Sequence, residues 1–263
     1  MNSYGGGWSG GGFGGRRIEQ VYPRSASVLP PGVKWLLIIN TALFVAHFFA
    51  VRAGYAAVFT PFWLSLRWIL EGFAVWQLFS YMFLHDPWGF QHIIFNMLAL
   101  WMFGKDLEAI WGTRRFLQYY FICGVGAGLC ALLMSAVFGT GSERTIGASG
   151  AIYGLLLAFG VLFPDVTVLF SFLFPIKAKY FVMIIGAMSF MLTLGSTGDG
   201  VSHVAHLGGM IWGWLYLKTN LFKGDFFAPF EQWRRNWKHN RAKKKFQVYL
   251  KKQSGGGRDR MIH

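Results

Sequence analysis

Charge is scarce in this chain: 14% of its 263 residues are Asp, Glu, Lys or Arg, against about 25% in an average soluble domain. Acidic groups are scarcer still, at 11. That shortage excludes an ordinary water-soluble globule, which needs a charged shell. It also argues against a transporter, because the apolar runs carry almost none of the paired charges that an ion path requires. Cysteine is nearly absent. Cys123 and Cys130 lie seven apart in one apolar helical run, which separates their Cα atoms by about 10 Å, beyond disulfide reach; they read as packing residues. The first 33 residues lack any apolar core and are rich in Gly, Ser and Pro, so no secretory signal is visible. Residues 1–32 read as a disordered cytoplasmic leader.

What the chain has instead is apolar mass, 54% hydrophobic and 19% aromatic, arranged in six runs near 33–51, 89–104, 116–138, 147–163, 180–195 and 201–221. These predict an all-α polytopic membrane protein with six spans across residues 33–221. The stretch 58–84 is interrupted by Pro61, Arg67, Glu71, Gly72 and Gln77 and reads as an interfacial segment, with a seventh span as the alternative. The segments 105–115 and 164–179 read as loops.

The net charge of +14 sits at the two ends. Under the positive-inside rule it places both termini in the cytoplasm, in keeping with an even number of spans. In the tail, 222–263, Trp233 and Trp237 stand four apart beside Arg241, Lys243, Lys244 and Lys245. That pattern predicts an interfacial helix on anionic lipid headgroups, in preference to a nucleic-acid contact.

The second, fourth and sixth runs each begin with polar residues that a lipid-facing span would exclude: HIIFN (His92–Asn96), GASG (Gly147–Gly150) and SHVAH (Ser202–His206). On this topology all three lie near the outer face, and polar groups in hydrocarbon are costly enough to require a common purpose. Ser149 is the candidate nucleophile and needs a base; His206 is the candidate. His203, one turn away, competes for that role, but His206 alone fits the spacing to Gly209 and Gly213. Gly147 would let the chain enter the fourth helix tightly. Gly150 and Gly154 would form a face for close approach to Gly209 and Gly213, and Tyr153 would wall the imidazole. His92 and Asn96, at i and i+4, can both donate to a developing oxyanion, together with the Ser149 backbone N–H. No carboxylate lies within these helices, so a Ser-His dyad is expected. No HExxH pattern accompanies the histidines, so neither metal nor cofactor is expected. His47 reads as a hydrogen-bonded interior residue.

GASG, AHLGGMIWG, HIIFN and YMFLHDPWGF together resemble the rhomboid family of intramembrane serine proteases. The resemblance implies Ser149 as nucleophile, His206 as base, His92 and Asn96 as oxyanion donors, Tyr153 beside the dyad, a structural His85, and Glu108 at a family position on the cytoplasmic side. Gln77 departs from the family's frequent Trp-Arg pair. The implied substrates are single-span membrane proteins with a small residue at the cleavage site and a locally unstable helix. The fifth run and the loop near 195–202 would gate their entry. The minimal six-span form implies a bacterial inner membrane. A non-catalytic relative that escorts membrane clients is the alternative.

Overall fold

The computed structural model describes residues 27–138, 144–170, 173–195 and 200–219, with Asn236, Trp237, Arg241 and Lys243 of the tail. Most of the leader, the loop residues Glu143 and Asp199, the Ser202 side chain and Trp233 therefore lie outside the described residues. The chain divides into two compact units, Met1–Lys218 and Thr219–His263. In the second unit the Arg241 guanidinium lies 5.2 Å from the centre of the Trp237 ring.

The first unit is mostly helical. Its elements are α1 (Pro31–Arg52), α2 (Leu66–Gly72), α3 (Gln77–Ser80), α4 (Phe90–Phe138), α5 (Ser149–Leu162), β1 (Thr167–Phe170), β2 (Phe174–Lys177), α6 (Ala178–Gly195) and α7 (Gly200–Lys218). Among the described residues, helix covers most of each of the six apolar runs. Two of these helices, α1 and α4, are long and apolar enough to cross a bilayer by length and composition, and α5 and α6 are shorter apolar helices.

Pro31 starts α1 because its missing N–H is one the first helical turn would leave unbonded in any case. Val33, Leu36, Asn40, Phe44 and His47 are buried at the three- and four-residue spacing of one helix face, which packs on α4. The opposite face exposes Trp35, Ile38, Val45 and Phe49. A soluble protein would bury such a surface; a lipid solvent accepts it. Helix α5 is the reverse case, with Gly150, Ala151, Ile152, Gly154, Leu155, Leu156, Ala158, Phe159 and Gly160 buried. It is enclosed by α4, α7 and α6.

Three expectations change. The segment 105–115 is helix as far as Trp111, and the chain turns at Gly112, where φ is +75°, a conformation costly to residues with a Cβ. The polar stretch KDLEAIW ends the apolar run but not the helix, since Lys, Leu, Glu and Ala all favour helix. The segment 164–179 contains an antiparallel hairpin with Thr167 opposite Lys177, closed at its base by Asp165, which pairs with Lys177 and Lys179. A small sheet thus joins the all-α body. Helix α5 begins at Ser149, two residues after the predicted start. Residues 58–84 form only short pieces: a 3-10 segment at Ala56–Phe62, then α2, α3 and a 3-10 turn at Tyr81–Phe83.

Candidate active site

Ser149 is the first helical residue of α5. The first N–H groups of a helix have no intrahelical acceptor, so the backbone here presents donors beside the hydroxyl. The loop leading in is fixed by backbone hydrogen bonds to the 56–84 segment. Leu64 and Thr145 exchange two, at 3.0 and 2.8 Å, and the Gly147 N–H donates to the Tyr81 carbonyl at 2.9 Å. Gly147 adopts φ +122°. A Cβ there would stand 2.9 Å from the His92 Nε2 and 3.8 Å from the Ser149 Oγ, so the site permits glycine alone in both conformation and space.

Helix α7 brings His206 to the hydroxyl, with Nε2 and the Ser149 Oγ 2.8 Å apart. The Nδ1-protonated imidazole would leave Nε2 to accept the hydroxyl proton. The His206 Nδ1 is buried without a hydrogen-bond partner among the described residues, and no carboxylate orients it there. Tyr153 does so by stacking: the two rings lie 4.1 Å apart and 6° from parallel. His203 meets the same imidazole edge-on, at 5.9 Å between centroids, and it is His206 that faces Ser149.

The glycine face expected between the two helices is present. A Cβ on Gly209 would overlap the Gly150 carbonyl, and one on Gly154 would meet Cys123 at 2.5 Å and the Gly209 carbonyl at 3.1 Å. Gly213 instead faces Tyr119 and Cys123 of α4. Backbone thus touches backbone where Ser149 and His206 approach each other. Both cysteines are free and serve as packing here, with Cys130 against Gly208.

His92 and Asn96 project from the first part of α4. His92 faces Gly147, as above, and the Asn96 Nδ2 is buried with no partner among the described residues, an amide donor held ready for an acceptor. His85 packs 5.1 Å from His92. Burial, reinforced by that neighbouring imidazole, pushes the His85 pKa down to about 3, so it is neutral near pH 7. The His47 Nδ1–H donates to the His85 carbonyl at 3.2 Å, which bears out its reading as an interior residue.

Two residues have roles that the sequence patterns left undefined. The Glu108 carboxylate accepts the N–H groups of Gly32 and Val33 at 2.7 and 2.8 Å and the Thr113 hydroxyl at 2.5 Å, capping α1 from the end of the first part of α4 and holding the turn at Gly112. Gln77 accepts the Ser65 N–H at 3.1 Å and donates to the Pro61 carbonyl at 3.1 Å. A neutral amide that both donates and accepts thus ties two backbone groups of the segment together.

Among the described residues no group of three or more His, Cys, Asp or Glu is placed to hold a metal ion. Residues 72–221, more than half of the chain, match the Rhomboid domain family. The chain is 33% identical over 137 residues to Rhomboid protein 1, mitochondrial, of Saccharomyces cerevisiae, covering 48% of this chain and 37% of that protein. It is 32% identical to Rhomboid protease GluP of Bacillus subtilis, covering 52% and 24% respectively. It is also 32% identical to the Putative rhomboid protease YdcA of Bacillus subtilis, covering 53% and 64%. The chain thus spans less than two thirds of the length of each of these relatives. With the family match centred on the helices that carry Ser149, His206, His92 and Asn96, the chain belongs to the rhomboid family of integral membrane proteins.

Proposed function

We propose that this protein is an intramembrane serine endopeptidase that hydrolyses peptide bonds in or beside transmembrane segments of single-span membrane proteins. The observation that carries the reading is the 2.8 Å contact between the Ser149 Oγ and the His206 Nε2, made between two helices where polar groups are costly. Ser149 attacks the scissile carbonyl while His206 takes its proton. The oxyanion is met by the Ser149 N–H, His92 and Asn96. His206 then protonates the leaving amine, and a water, deprotonated by the same imidazole, releases the acyl group from Ser149. Gly147 and Gly150 keep the approach free of side chains, and Tyr153 holds the base. No cofactor takes part.

Six spans follow if α1, the two parts of α4 on either side of Gly112, α5, α6 and α7 each cross the bilayer. Both basic termini are then cytoplasmic, with residues 58–84 in the outer interface and 33–221 forming the protease body. This minimal form supports a bacterial inner membrane. The leader 1–32 stays in the cytoplasm, and the basic tail 222–263 rests on anionic headgroups. Helix α6, with Met183, Met188, Met191 and Leu194 exposed, is the side at which a substrate helix would enter.

Co-expression with a tagged single-span substrate tests the reading. Ser149→Ala and His206→Ala each lower cleavage by about 10⁴-fold, whereas His203→Ala leaves turnover within about tenfold. Cleavage that persists in Ser149→Ala removes the nucleophile. A client retained uncut by the unmodified protein favours an escort role.

A further inference from the structure

Tyr81 belongs to none of the patterns that marked the site, yet it reaches the site from two ends. It opens a 3-10 turn of three residues, an element too short to hold itself by its own backbone bonds, and it is 1% exposed. At the main-chain end its carbonyl accepts the Gly147 N–H at 2.9 Å, with the Leu84 N–H at 3.2 Å as a second donor. At the other end its hydroxyl donates to the Gly124 carbonyl of α4 at 2.6 Å. The ring between them lies on the glycine row of α4. A Cβ on Gly128 would stand 3.1 Å from its Cε1, and one on Gly124 would overlap the neighbouring Met82. The hydroxyl also borders α5, because a Cβ on Gly150 would stand 3.6 Å from it and 2.5 Å from the Ala127 Cβ. The phenol is therefore anchored where α4 and the first turn of α5 are in close contact.

Gly147 is the residue that this anchor controls. A Cβ on it would stand 2.9 Å from the His92 Nε2 and 3.8 Å from the Ser149 Oγ, so Gly147 adjoins both. A shift of Gly147 changes the gap between the His92 ring and the Ser149 N–H, two of the donors proposed for the oxyanion. Such donors act only if they are in place before the charge develops, and a displacement of about 1 Å can cost about 10²-fold in rate. A tyrosine has two side-chain torsions; with its hydroxyl bonded and its ring packed on helix backbone, it transmits position with little slack. We propose that Tyr81 is a positioning residue: its phenol, anchored on α4, fixes the carbonyl that holds Gly147 and so sets the spacing of the oxyanion donors. Its effect on turnover rests on the protease reading, and its effect on Gly147 rests on the geometry alone.

The full chain carrying Tyr81→Phe, in detergent micelles, tests it; the ring is retained and only the hydroxyl is lost. Hydrogen exchange at the Gly147 amide, read by NMR, quickens about tenfold, the change expected of one lost hydrogen bond, while the amides of α6 keep their protection. In cleavage of the tagged single-span substrate, kcat falls about tenfold with KM unchanged. Combined with His92→Ala, the two losses in kcat multiply to less than their product, because both act through the same donor. Gly128→Ala, whose methyl would press on the same ring, quickens Gly147 exchange in the same sense and provides the test if Tyr81→Phe fails to fold. Unchanged Gly147 exchange overturns the proposal, as does full multiplication with His92→Ala, which would leave Tyr81 a packing residue. Ser149→Ala, measured alongside, separates the two readings. Cleavage that persists there ends the protease assignment and leaves Gly147 exchange to decide the role of Tyr81; Ser149-dependent cleavage indifferent to Tyr81→Phe removes that role alone.

Discussion

The contact between α5 and α7 and the segment from Ala53 to Gly89 solve the same problem, positioning polar groups in a largely apolar protein, by opposite means. At α5–α7 side chains are removed: Gly150, Gly154 and Gly209 bring backbones together, and the Ser149–His206 pair inherits its geometry from two close, rigid helices. In the 53–89 segment side chains are added. Gln77 bonds Ser65 and Pro61, the Trp76 Nε1–H donates to the same Pro61 carbonyl, and the Ser80 hydroxyl donates to the Phe62 carbonyl. Short helices leave many backbone groups unpaired, and side chains supply the missing partners. The first region is defined by steric fit and the second by hydrogen-bond satisfaction, so they should fail differently.

The steric region should fail hardest. Gly209→Val places side-chain atoms on the Gly150 carbonyl and should cost about 3 kcal/mol or more, read as a lowered unfolding midpoint in detergent together with loss of cleavage. Cleavage that survives would mean the helices can separate without disturbing the pair. A carboxylate cap should come next. Glu108→Ala leaves the Gly32 and Val33 N–H groups without their acceptor and should destabilise by about 2–3 kcal/mol, while Glu108→Gln, retaining an acceptor oxygen, should recover part of that. Gln77→Leu should cost about 1–2 kcal/mol and shift stability more than turnover, because its partners lie in the loop segment alone. A turnover loss as large as that of Gly209→Val would erase the distinction between the regions.

The last effect is read per pH unit rather than per substitution. The His85 pKa is lowered on folding, so below its unfolded value near 6.5 the unfolded chain binds the extra proton. Stability contributed by neutral His85 is therefore full above that value and declines as pH falls toward 3, by at most about 1.4 kcal/mol per pH unit. Unfolding midpoints between pH 7 and 4 should fall less steeply for His85→Gln than for the unsubstituted chain.

The same contrast explains what the sequence made legible. The α5–α7 contact could be read because small residues at four-residue spacing and a lone serine among glycines are local patterns, and Tyr153 one turn on from Ser149 had one face to occupy. Glu108 was visible as a position but not as a cap, because its partners, Gly32 and Val33, are 76 and 75 residues away, and no local pattern encodes so distant a bond. The hairpin at 167–177 was hidden for another reason: a short apolar run such as TVLF has no periodicity that separates strand from loop or buried helix. The continuation of α4 to Trp111 was missed because polarity marks where a helix leaves an apolar environment, not where its hydrogen bonding stops.

Leu64, Tyr81, Thr145 and Gly147 have one further consequence. Their three main-chain hydrogen bonds stitch residues 56–84 to the loop that delivers Ser149, so this segment cannot lift away as a free flap. Any force that shifts it must either break those stitches in sequence or drag the reactive hydroxyl along. The serine is moored to residues 56–84 as well as to its own helix.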